Sequence, residues 1–455
     1  MKKPTNIVLI GLGKHSMRTY WSFLELLQDH SSFSVVALVD LVSSKGTIDG
    51  FIEKSRVKPK EIILLENKSG KSCRQAVAQL NMLHEKEGVD KVVIATEPCS
   101  HSAYIDWAIS CNIDTLVEKP ITAVVNINRD KDHAKKIERY VTEIAAKDIH
   151  EKISVQTQRR YNTAYAFAYS YVKDFVKEFS VPISFLSVHQ EDGLWNSVNE
   201  FLTEEAHPYK YGYGKLMHSG YHYIDLFCWF AHLNELLEGK KWADEMSLAT
   251  EVFRPIDLAN QLHNFSHLSE PYVQSGVDIP ETLGEIDCYN SVQFKKNSLA
   301  VLTGRIDMVQ NSVSSRSHFS DTYAGKHQAG ACKYEETSIY VGPLLKLKIF
   351  TVSERSANAW EYHFKVEIQR NATLVGGKEF DVLDFKLECG TVYNPTRPWT
   401  PNQAARFVLF GAFLSGRENI SKIKTHVESN RLLSLMYQNI VAAHNGELPY
   451  SKISL

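Results

Sequence analysis

One stretch of this sequence, residues 91–122, constrains the fold more than any other. Val92–Ala95 is a short apolar run rich in β-branched residues, which predicts a strand buried on both faces. A helical pattern follows, and Thr115–Val117 predicts a second strand that ends at Glu118 and Lys119. In a parallel open sheet, the carboxyl ends of the strands form the crevice where ligands bind. We therefore predict that Lys119 lies in such a crevice rather than on a solvated surface.

A glycine-rich turn follows the first strand of the predicted sheet. Asn6–Ile10 is an apolar run, the sequence GLGKHS comes directly after it, and apolar residues then recur at helix spacing. In a dinucleotide-binding unit the two glycines permit the tight turn and the close approach of a pyrophosphate, whose charge the helix N-terminus attracts. The predicted cofactor-binding residues of the turn are Gly11, Gly13, Lys14, His15 and Ser16, of which Ser16 stands where a third glycine is usual.

An acidic residue ends the second predicted strand, Phe33–Val39. Asp40 is in the position from which a carboxylate hydrogen-bonds the ribose hydroxyls of a dinucleotide. Its charge would repel a 2′-phosphate, so we predict NAD as the cofactor. Lys45, five residues later, leaves NADP open.

The pattern of the chain changes near residue 158. Before it, strands and helices alternate, which predicts an α/β fold with a Rossmann-type doubly wound parallel sheet over 1–158. After it, we predict an α+β domain over 159–455 with a large, mostly antiparallel open sheet, because apolar residues alternate from Ile286 onward. Three stretches without periodicity are predicted as loops: Gln190–Tyr213, Asn234–Leu283 and Asp307–Thr337.

Composition excludes several classes of partner. A formal net charge of -2 over 455 residues gives no reason to expect a nucleic acid or an anionic membrane. Seven cysteines without a C-x-x-C pair are typical of free thiols in a reducing compartment. No apolar run reaches the length of a membrane span. We therefore expect a cytoplasmic protein of about two domains.

Together, four motifs resemble the glucose–fructose oxidoreductase / inositol dehydrogenase / MocA (Gfo/Idh/MocA) family over most of the chain. They are GLGKHS, Asp40, the segment Glu118-Lys119-Pro120, and a later G-x-H-x-x-D formed by Gly220, His222 and Asp225. The resemblance implies an NAD(P)-dependent oxidoreductase that acts on a CH–OH group or carbonyl of a sugar, cyclitol or related derivative. It also implies a small-molecule substrate and a homodimer or homotetramer formed through the C-terminal sheet.

The resemblance further implies roles for individual residues. Lys119 would contact the reacting oxygen, and His222 would act as a general base, which suits an imidazole near neutral pH. Glu118 would orient the cofactor or Lys119. The loop near the nicotinamide ribose matches Thr96, Pro98 and His101. The candidate substrate contacts are Arg160, Tyr161, Trp195, Tyr209, His218 and Asp225. For Arg160, a structural salt bridge is an equal alternative to substrate binding. For the aromatic residues, the alternative is packing within the domain.

One position departs from the family pattern. Many members carry an aspartate four residues before the catalytic histidine, and this chain has His218 there. A histidine cannot replace a permanent anion, so an inactive nucleotide-binding sugar sensor or regulator stays open as an alternative. An imine reductase on the same fold is a further alternative. His218 and His222 also have the spacing of a helical metal pair, but no third ligand is evident and we predict no metal.

Overall fold

The computed structural model describes residues 3–66, 70–194, 196, 198–203, 208–262, 278–312, 332–355, 360–385 and 400–455. The chain forms two compact units, each assembled from separate segments. The first consists of Met1–Ala123, Arg139–Asn162 and Cys389–Val427. The second consists of Val124–Glu138, Thr163–Glu388 and Glu428–Leu455.

The first unit is built on a six-stranded sheet. Every neighbouring pair of strands is parallel, and the strand order is β3-β2-β1-β4-β5-β6. This is the strand order of a dinucleotide-binding Rossmann sheet, which confirms the predicted fold class. The strands are β1 (Thr5–Ile10), β2 (Phe33–Leu41), β3 (Glu61–Leu65), β4 (Lys91–Ile94), β5 (Asp114–Val117) and β6 (Ile153–Val155).

Helices cover both faces of this sheet because successive residues of each buried strand point to opposite sides. Val8 and Ile10 belong to one apolar cluster, and Ile7 and Leu9 belong to another. The helices as far as residue 145 are α1 (Lys14–Ser16), α2 (Ser22–Leu27), α3 (Lys45–Lys54), α4 (Gly70–Glu87), α5 (His101–Ser110) and α6 (Lys131–Ala145), with a π-helical segment, Met17–Trp21, between α1 and α2.

A nine-stranded sheet forms the second unit, in the order β14-β13-β12-β11-β7-β10-β9-β8-β15. All neighbouring pairs are antiparallel except β7 and β10, so the prediction of a mostly antiparallel sheet is confirmed. The strands are β7 (Ile183–Leu194), β8 (Glu245–Phe253), β9 (Asp287–Lys296), β10 (Leu299–Asn311), β11 (Cys332–Val341), β12 (Leu345–Arg355), β13 (Trp360–Arg370), β14 (Phe380–Asp384) and β15 (Tyr450–Ser454).

The remaining helices follow the chain through both units. They are α7 (Thr163–Phe179), α8 (Val198–Thr203), α9 (Tyr221–Ala231), α10 (Glu235–Glu238), α11 (Pro255–Leu262), α12 (Ala372–Val375), α13 (Pro401–Ser415) and α14 (Val427–His444). A π-helical segment, Leu216–Gly220, precedes α9. None of the helices in the described part of the chain combines the length and the apolar character that a membrane span requires.

Helix α13 belongs to the first unit although it lies far along the chain. Phe407 and Phe410 join the apolar cluster of Ile7 and Leu9. Their rings pack on Phe23, at 5.1 Å and 5.7 Å between ring centroids. Helix α13 therefore supplies part of the cover of one face of the parallel sheet.

The predicted loops contain more regular structure than the sequence indicated. Strand β7 continues to Leu194 and α8 follows it, so the loop prediction at Gln190–Tyr213 is wrong there. The stretch Asn234–Leu283 contains α10, β8 and α11, and Asp307–Thr337 contains the end of β10 and the start of β11. In β8 the apolar–polar alternation covers only Met246–Leu248, which is too short a run to indicate a strand by itself. The rest of the two longer stretches, 263–277 and 313–331, lies outside the described residues.

Candidate active site

The turn between β1 and α1 leaves its backbone open at Gly13. Gly11 has a φ of +94°, and a Cβ there would lie 2.6 Å from the carbonyl oxygen of Ala95, so only glycine fits. No atom lies within 4 Å of the place that a Cβ on Gly13 would take. Helical structure begins at Lys14, and the N–H groups of a first helical turn have no partner within their own helix. The turn can therefore receive an anionic group. Ser16 is buried behind it.

The carboxylate of Asp40 lies beside this turn. Its Oδ2 accepts a hydrogen bond from the Leu12 N–H at 2.6 Å, and its Oδ1 accepts one from the Leu41 N–H at 2.7 Å. These bonds fix the orientation of the carboxylate, while each oxygen has lone-pair capacity for a further donor. The ammonium of Lys45, by contrast, pairs with Asp49 on the exposed surface of α3.

Glu118 follows β5 and is buried. Its Oε1 accepts a hydrogen bond from the Tyr20 hydroxyl at 2.6 Å and lies 3.0 Å from Nε2 of His15. Burial alone would raise the pKa of this carboxyl group. The hydrogen bond from His15 and the positive charges of Arg406 and Lys119 outweigh burial and hold the pKa of Glu118 well below its usual range. Glu118 is therefore ionised inside the first unit.

Lys119 comes directly after this carboxylate, at the carboxyl end of the parallel sheet. Its side chain is half-buried, and its peptide bond to Pro120 is cis. Its backbone N–H donates a hydrogen bond to Oε2 of Glu118 at 3.2 Å. A lysine side chain at this edge of the sheet can exchange a proton with a bound ligand.

His101 connects the loop after β4 with the loop after β5. Its Nδ1 lies 3.1 Å from the carbonyl oxygen of Pro120, and its Nε2 lies 3.0 Å from that of Thr96. The imidazole is fully buried, and burial lowers its pKa. These contacts favour a structural role for His101. Thr96 and Pro98 are half-buried and keep some exposed surface in this loop.

Arg160 and Tyr161 bind a later segment of the first unit. The Arg160 guanidinium is buried and donates hydrogen bonds to the carbonyl oxygens of Ile420 and Thr425 and to the Thr425 hydroxyl. The Tyr161 hydroxyl donates to Oδ1 of Asn419 at 2.7 Å and accepts from the Ile420 N–H at 3.0 Å. Burial raises the pKa of Tyr161 to about 12. These bonds favour structural roles over substrate contact for both residues.

In the second unit, His218 and His222 are buried on either side of a change in helix type. His218 lies in the π-helical segment, and His222 lies in the first turn of α9. The N–H of Gly220 donates to the carbonyl oxygen of Lys215, a π-type bond between residues five apart. A Cβ on Gly220 would lie 2.6 Å from that same oxygen, so the wide turn requires glycine. Asp225, also buried, accepts a hydrogen bond from the Ser429 hydroxyl at 3.2 Å.

The aromatic candidates of the second unit are packed rather than open. Tyr209 is buried, and its ring meets Phe201 at 4.8 Å and His218 at 5.0 Å, both edge to face. Tyr211 is half-buried with its ring 6.0 Å from that of Tyr213. Trp195 lies outside the described residues.

Sequence analysis missed a buried ion pair one turn before His218. Nζ of Lys215, which has no exposed surface, lies 2.5 Å from Oδ2 of Asp192 in β7. The Gln190 side chain donates to the other oxygen of Asp192 at 2.9 Å. Burial would raise the pKa of Asp192, but the charges of Lys215 and Lys333 hold it below the usual range. A lysine within an otherwise apolar run, GKLM, was the signal available in the sequence.

A second group that was missed is Arg406 in α13. Its position in the sequence, between Ala405 and the apolar run FVLF, gives it the appearance of an ordinary surface residue of an amphipathic helix. The structure instead brings its charge close to Glu118, Tyr20 and His15. The only signal was a cation on a helix with a broad apolar surface.

Neither metal ligation nor the open cavities point to another active site. Within the described ranges, no group of three or more His, Cys, Asp or Glu side chains is arranged to hold a metal ion. A cavity of about 510 Å³ opens at the amino ends of β1, β4 and β5 and is lined in part by Lys3, Asp90, Lys91, Asp114 and Lys152. Because ligands of open α/β sheets bind at the carboxyl ends of the strands, we assign this cavity no catalytic role.

Comparison with known proteins identifies the N-terminal part of the chain. Residues 5–144 match the GFO_IDH_MocA family model, described as an oxidoreductase family with an NAD-binding Rossmann fold. The resemblance drawn from the sequence motifs is thereby confirmed over these residues. No curated protein matches the sequence.

Solved structures share the fold over almost the whole chain. An oxidoreductase from Agrobacterium radiobacter in complex with NAD+, L-tartaric acid and magnesium has a TM-score of 0.54 at 13% identity, covering 99% of this chain and 98% of that one. The aldose-aldose oxidoreductase of Caulobacter crescentus, complexed with glycerol, has a TM-score of 0.53 at 14% identity, covering 100% of both chains. A myo-inositol dehydrogenase from Corynebacterium glutamicum has a TM-score of 0.51 at 12% identity, covering 99% of both. At these identities the likeness shows a common fold.

Proposed function

We propose that this protein is an NAD(P)-dependent oxidoreductase of the Gfo/Idh/MocA family, whose model residues 5–144 match. The observation that carries the proposal is the set of groups at the carboxyl ends of three parallel strands. The glycine turn follows β1, Asp40 lies at the end of β2, and Glu118 and Lys119 follow β5. Function resides in such a site and not in the fold alone.

The glycine turn fits a dinucleotide. The open space at Gly13 and the N–H groups of the following helical turn suit a pyrophosphate. The fixed carboxylate of Asp40 suits the ribose hydroxyls and disfavours a 2′-phosphate. Because Lys45 is already paired with Asp49, we propose NAD as the preferred cofactor.

The proposed reaction moves a hydride between a carbon of the substrate and the nicotinamide. The bound nicotinamide supplies the hydride chemistry, and the protein supplies binding and proton transfer. We propose that Lys119 exchanges a proton with the hydroxyl or carbonyl oxygen of the substrate. In the direction of reduction, the Lys119 ammonium would donate its proton to the carbonyl oxygen of the substrate as the hydride reaches the carbon. We assign general-base duty to His222, with His218 beside it as a further candidate.

For the substrate we propose a polyhydroxylated small molecule such as a sugar or cyclitol. The support is the names of the proteins that share the fold, an aldose-aldose oxidoreductase and a myo-inositol dehydrogenase. The two alternatives from the sequence make different demands on the same residues. An imine reductase would need the acid function of Lys119, whereas a sensor would need only nucleotide and sugar binding.

We also propose that the protein forms a homo-oligomer through the sheet of the second unit. One face of this sheet carries half-buried aromatic residues that contact each other, including Phe185 with Tyr340 at 5.3 Å and Tyr334 with Phe350 at 5.5 Å. Light scattering after size-exclusion chromatography should give a mass of two or four chains. A Phe350→Glu variant should shift that mass toward one chain.

Lys119→Ala tests the proposed function most directly. Nicotinamide absorbance would be followed with NAD and NADP, in both reaction directions, across sugars, cyclitols, their keto forms and cyclic imines. We expect turnover to fall about 10²–10⁴-fold in the variant, because a positioned proton donor contributes that much. Lys136→Ala, an exposed lysine of α6, is the matched control and should leave turnover unchanged.

The outcomes separate the three hypotheses. Unchanged turnover in Lys119→Ala would contradict the role of Lys119. Tight binding of NADH by the wild-type protein without turnover of any substrate would favour the sensor. Turnover confined to the imines would favour the imine reductase.

A further inference from the structure

We propose that Arg406, carried by α13, binds the pyrophosphate of the dinucleotide at the glycine turn. The inference rests on the proposed function, because it requires that a dinucleotide binds there. It goes further in assigning part of the cofactor site to a residue from the far end of the chain, more than 260 positions after the last residue of the matched family model.

The backbone that carries Arg406 is firmly held. A capping box begins α13: the Thr400 hydroxyl accepts from the Gln403 N–H at 3.2 Å, and the Gln403 side chain accepts from the Thr400 N–H at 3.3 Å. Further along, the ring of Phe410 packs against that of Tyr20 at 5.8 Å. Residues four apart lie on the same face of a helix, so Arg406 and Phe410 face the same part of the unit.

That part of the unit is the wall of the glycine turn. Phe410 packs against Tyr20, whose hydroxyl donates a hydrogen bond to Glu118. Glu118 in turn lies at hydrogen-bond distance from His15, a residue of the turn. The charge of Arg406 acts on all three of these residues. The packing of Phe410 on Tyr20, together with these charge effects, places Arg406 in the neighbourhood of the turn.

One buried nitrogen of the Arg406 guanidinium lacks a hydrogen-bond partner in the described part of the chain. Its Nε is buried and has no hydrogen-bond acceptor, and no carboxylate there lies within 4 Å of it as an ion-pair partner. An unpaired buried donor is costly, and more so on a charged group. Such a cost is typical of a site that a ligand completes.

The balance of charge around Arg406 indicates an anion. Burial lowers the pKa of Arg406, and Glu118 and Tyr20 act to raise it. Two further cations, Arg18 and Arg159, act to lower it. Two cations that act on Arg406 in this way disfavour its charge, and an anion bound between them would relieve that repulsion. A pyrophosphate carries two negative charges, and a planar guanidinium can bind two of its oxygens through two hydrogen bonds.

The position of the guanidinium selects the pyrophosphate rather than a 2′-phosphate. A 2′-phosphate would lie near Asp40, at the end of β2. Arg406 instead lies near His15, in the helical turn that receives the pyrophosphate in dinucleotide-binding units. A purely structural role, as a distant counter-charge for Glu118, is the competing explanation that the experiment must separate.

Binding measurements with three ligands test the inference. NADH and ADP-ribose contain the pyrophosphate, and adenosine does not. Calorimetry or displacement of NADH fluorescence would give the affinity of each ligand for the wild-type protein and for Arg406→Gln. We expect the variant to bind NADH and ADP-ribose at least about tenfold more weakly, with adenosine unchanged. Arg417→Gln, at an exposed arginine just beyond α13, is the matched control and should bind all three as the wild type does.

The contrary outcomes differ for the two proposals. If the wild type binds NADH and ADP-ribose, and Arg406→Gln binds them equally well, the assignment of Arg406 is overturned and the proposed function stands. An equal loss for adenosine would show a distorted unit and would likewise overturn it. If the wild type binds neither dinucleotide, both proposals fail. Should Arg406→Gln not fold, Arg406→Lys decides: selective weakening of ADP-ribose supports the inference, and unchanged affinity overturns it.

Discussion

The two units each bury a glutamate, and they treat its charge in opposite ways. Glu118 in the first unit is surrounded by His15 and by the charges of Arg406 and Lys119, and its pKa lies well below the usual range. Glu285 in the second unit accepts hydrogen bonds at Oε1 from the N–H groups of Gly214 and Leu216 and from the Tyr437 hydroxyl. These bonds do not outweigh burial, which raises the pKa of Glu285 to about 7.

The difference between the two pKa values shows how neutral hydrogen-bond donors and cations each affect the ionisation of a buried carboxyl group. Three dipoles are insufficient to keep a buried carboxylate ionised, whereas nearby cations suffice. Glu118 therefore lies among cations beside the glycine turn, a setting that is common where a charged ligand binds. Glu285 instead holds the backbone turn that precedes the π-helical segment.

Lys215→Met should have the largest effect on stability. It tests whether the ionisation of a buried carboxylate depends on the unit in which it lies or on the nearest cation. Asp192 lies in the same unit as Glu285, yet Lys215 holds it ionised. Removing the lysine leaves a buried carboxylate without its main partner, so we expect the free energy of unfolding to fall by about 3–5 kcal/mol. Denaturant titration measures it. Lys135→Met, which breaks an exposed pair with Asp132, should cost less than about 1 kcal/mol. Equal losses in the two variants would contradict the explanation.

Glu285→Gln should change how stability depends on pH. The folded protein holds the proton of Glu285 up to about pH 7, whereas the pKa of an unperturbed glutamate side chain is 4.5. Since its folded pKa is raised, its contribution to stability is complete below pH 4.5, declines as the pH rises, and is lost above about 7. At about 1.4 kcal/mol per pH unit, the wild type should lose up to about 3 kcal/mol relative to Glu285→Gln over that range.

Unfolding titrations at several pH values would detect this change. Asp287, whose pKa burial raises to about 6, is present in both proteins and cancels in the comparison. Glu251→Gln, at an exposed position of β8, serves as the control and should follow the wild type. Parallel curves for the wild type and Glu285→Gln would mean that the carboxyl group is ionised in the fold.

Tyr20→Phe should have the smallest effect of the three and sharpens the contrast at Glu118. The variant loses the hydroxyl that donates to the ionised carboxylate at 2.6 Å but keeps the ring that packs on Phe410. A hydrogen bond to a charged group is worth about 1.5–3 kcal/mol, so we expect a loss near the lower figure because the cations remain. Tyr140→Phe removes a similar bond to the exposed Asp106 and should cost less. A larger loss in Tyr140→Phe would be the contrary result.

Local patterns predicted the parallel sheet well and its charged surroundings poorly. Apolar runs, the glycine turn and the end of each strand are read from neighbouring residues, so β1, β2, β4 and β5 could be recognised with the groups that follow them. The electrostatic effect of Arg406 on Glu118 joins residues far apart in the sequence, and neither position carries a local sign of the other. The Lys215–Asp192 pair and the π-type bond at Gly220 depend on tertiary packing in the same way.

The position of α13 in the sequence also has a consequence for synthesis of the chain. Strand β6 ends at Val155, and the helix that covers one face of the same sheet begins only at Pro401. At about 5–20 residues per second, roughly 10–50 s separate the emergence of the two from a ribosome. During that interval Phe23 and its apolar neighbours lack the cover of Phe407 and Phe410. A nascent chain stalled before α13 should therefore be a substrate for chaperones that hold exposed apolar surface.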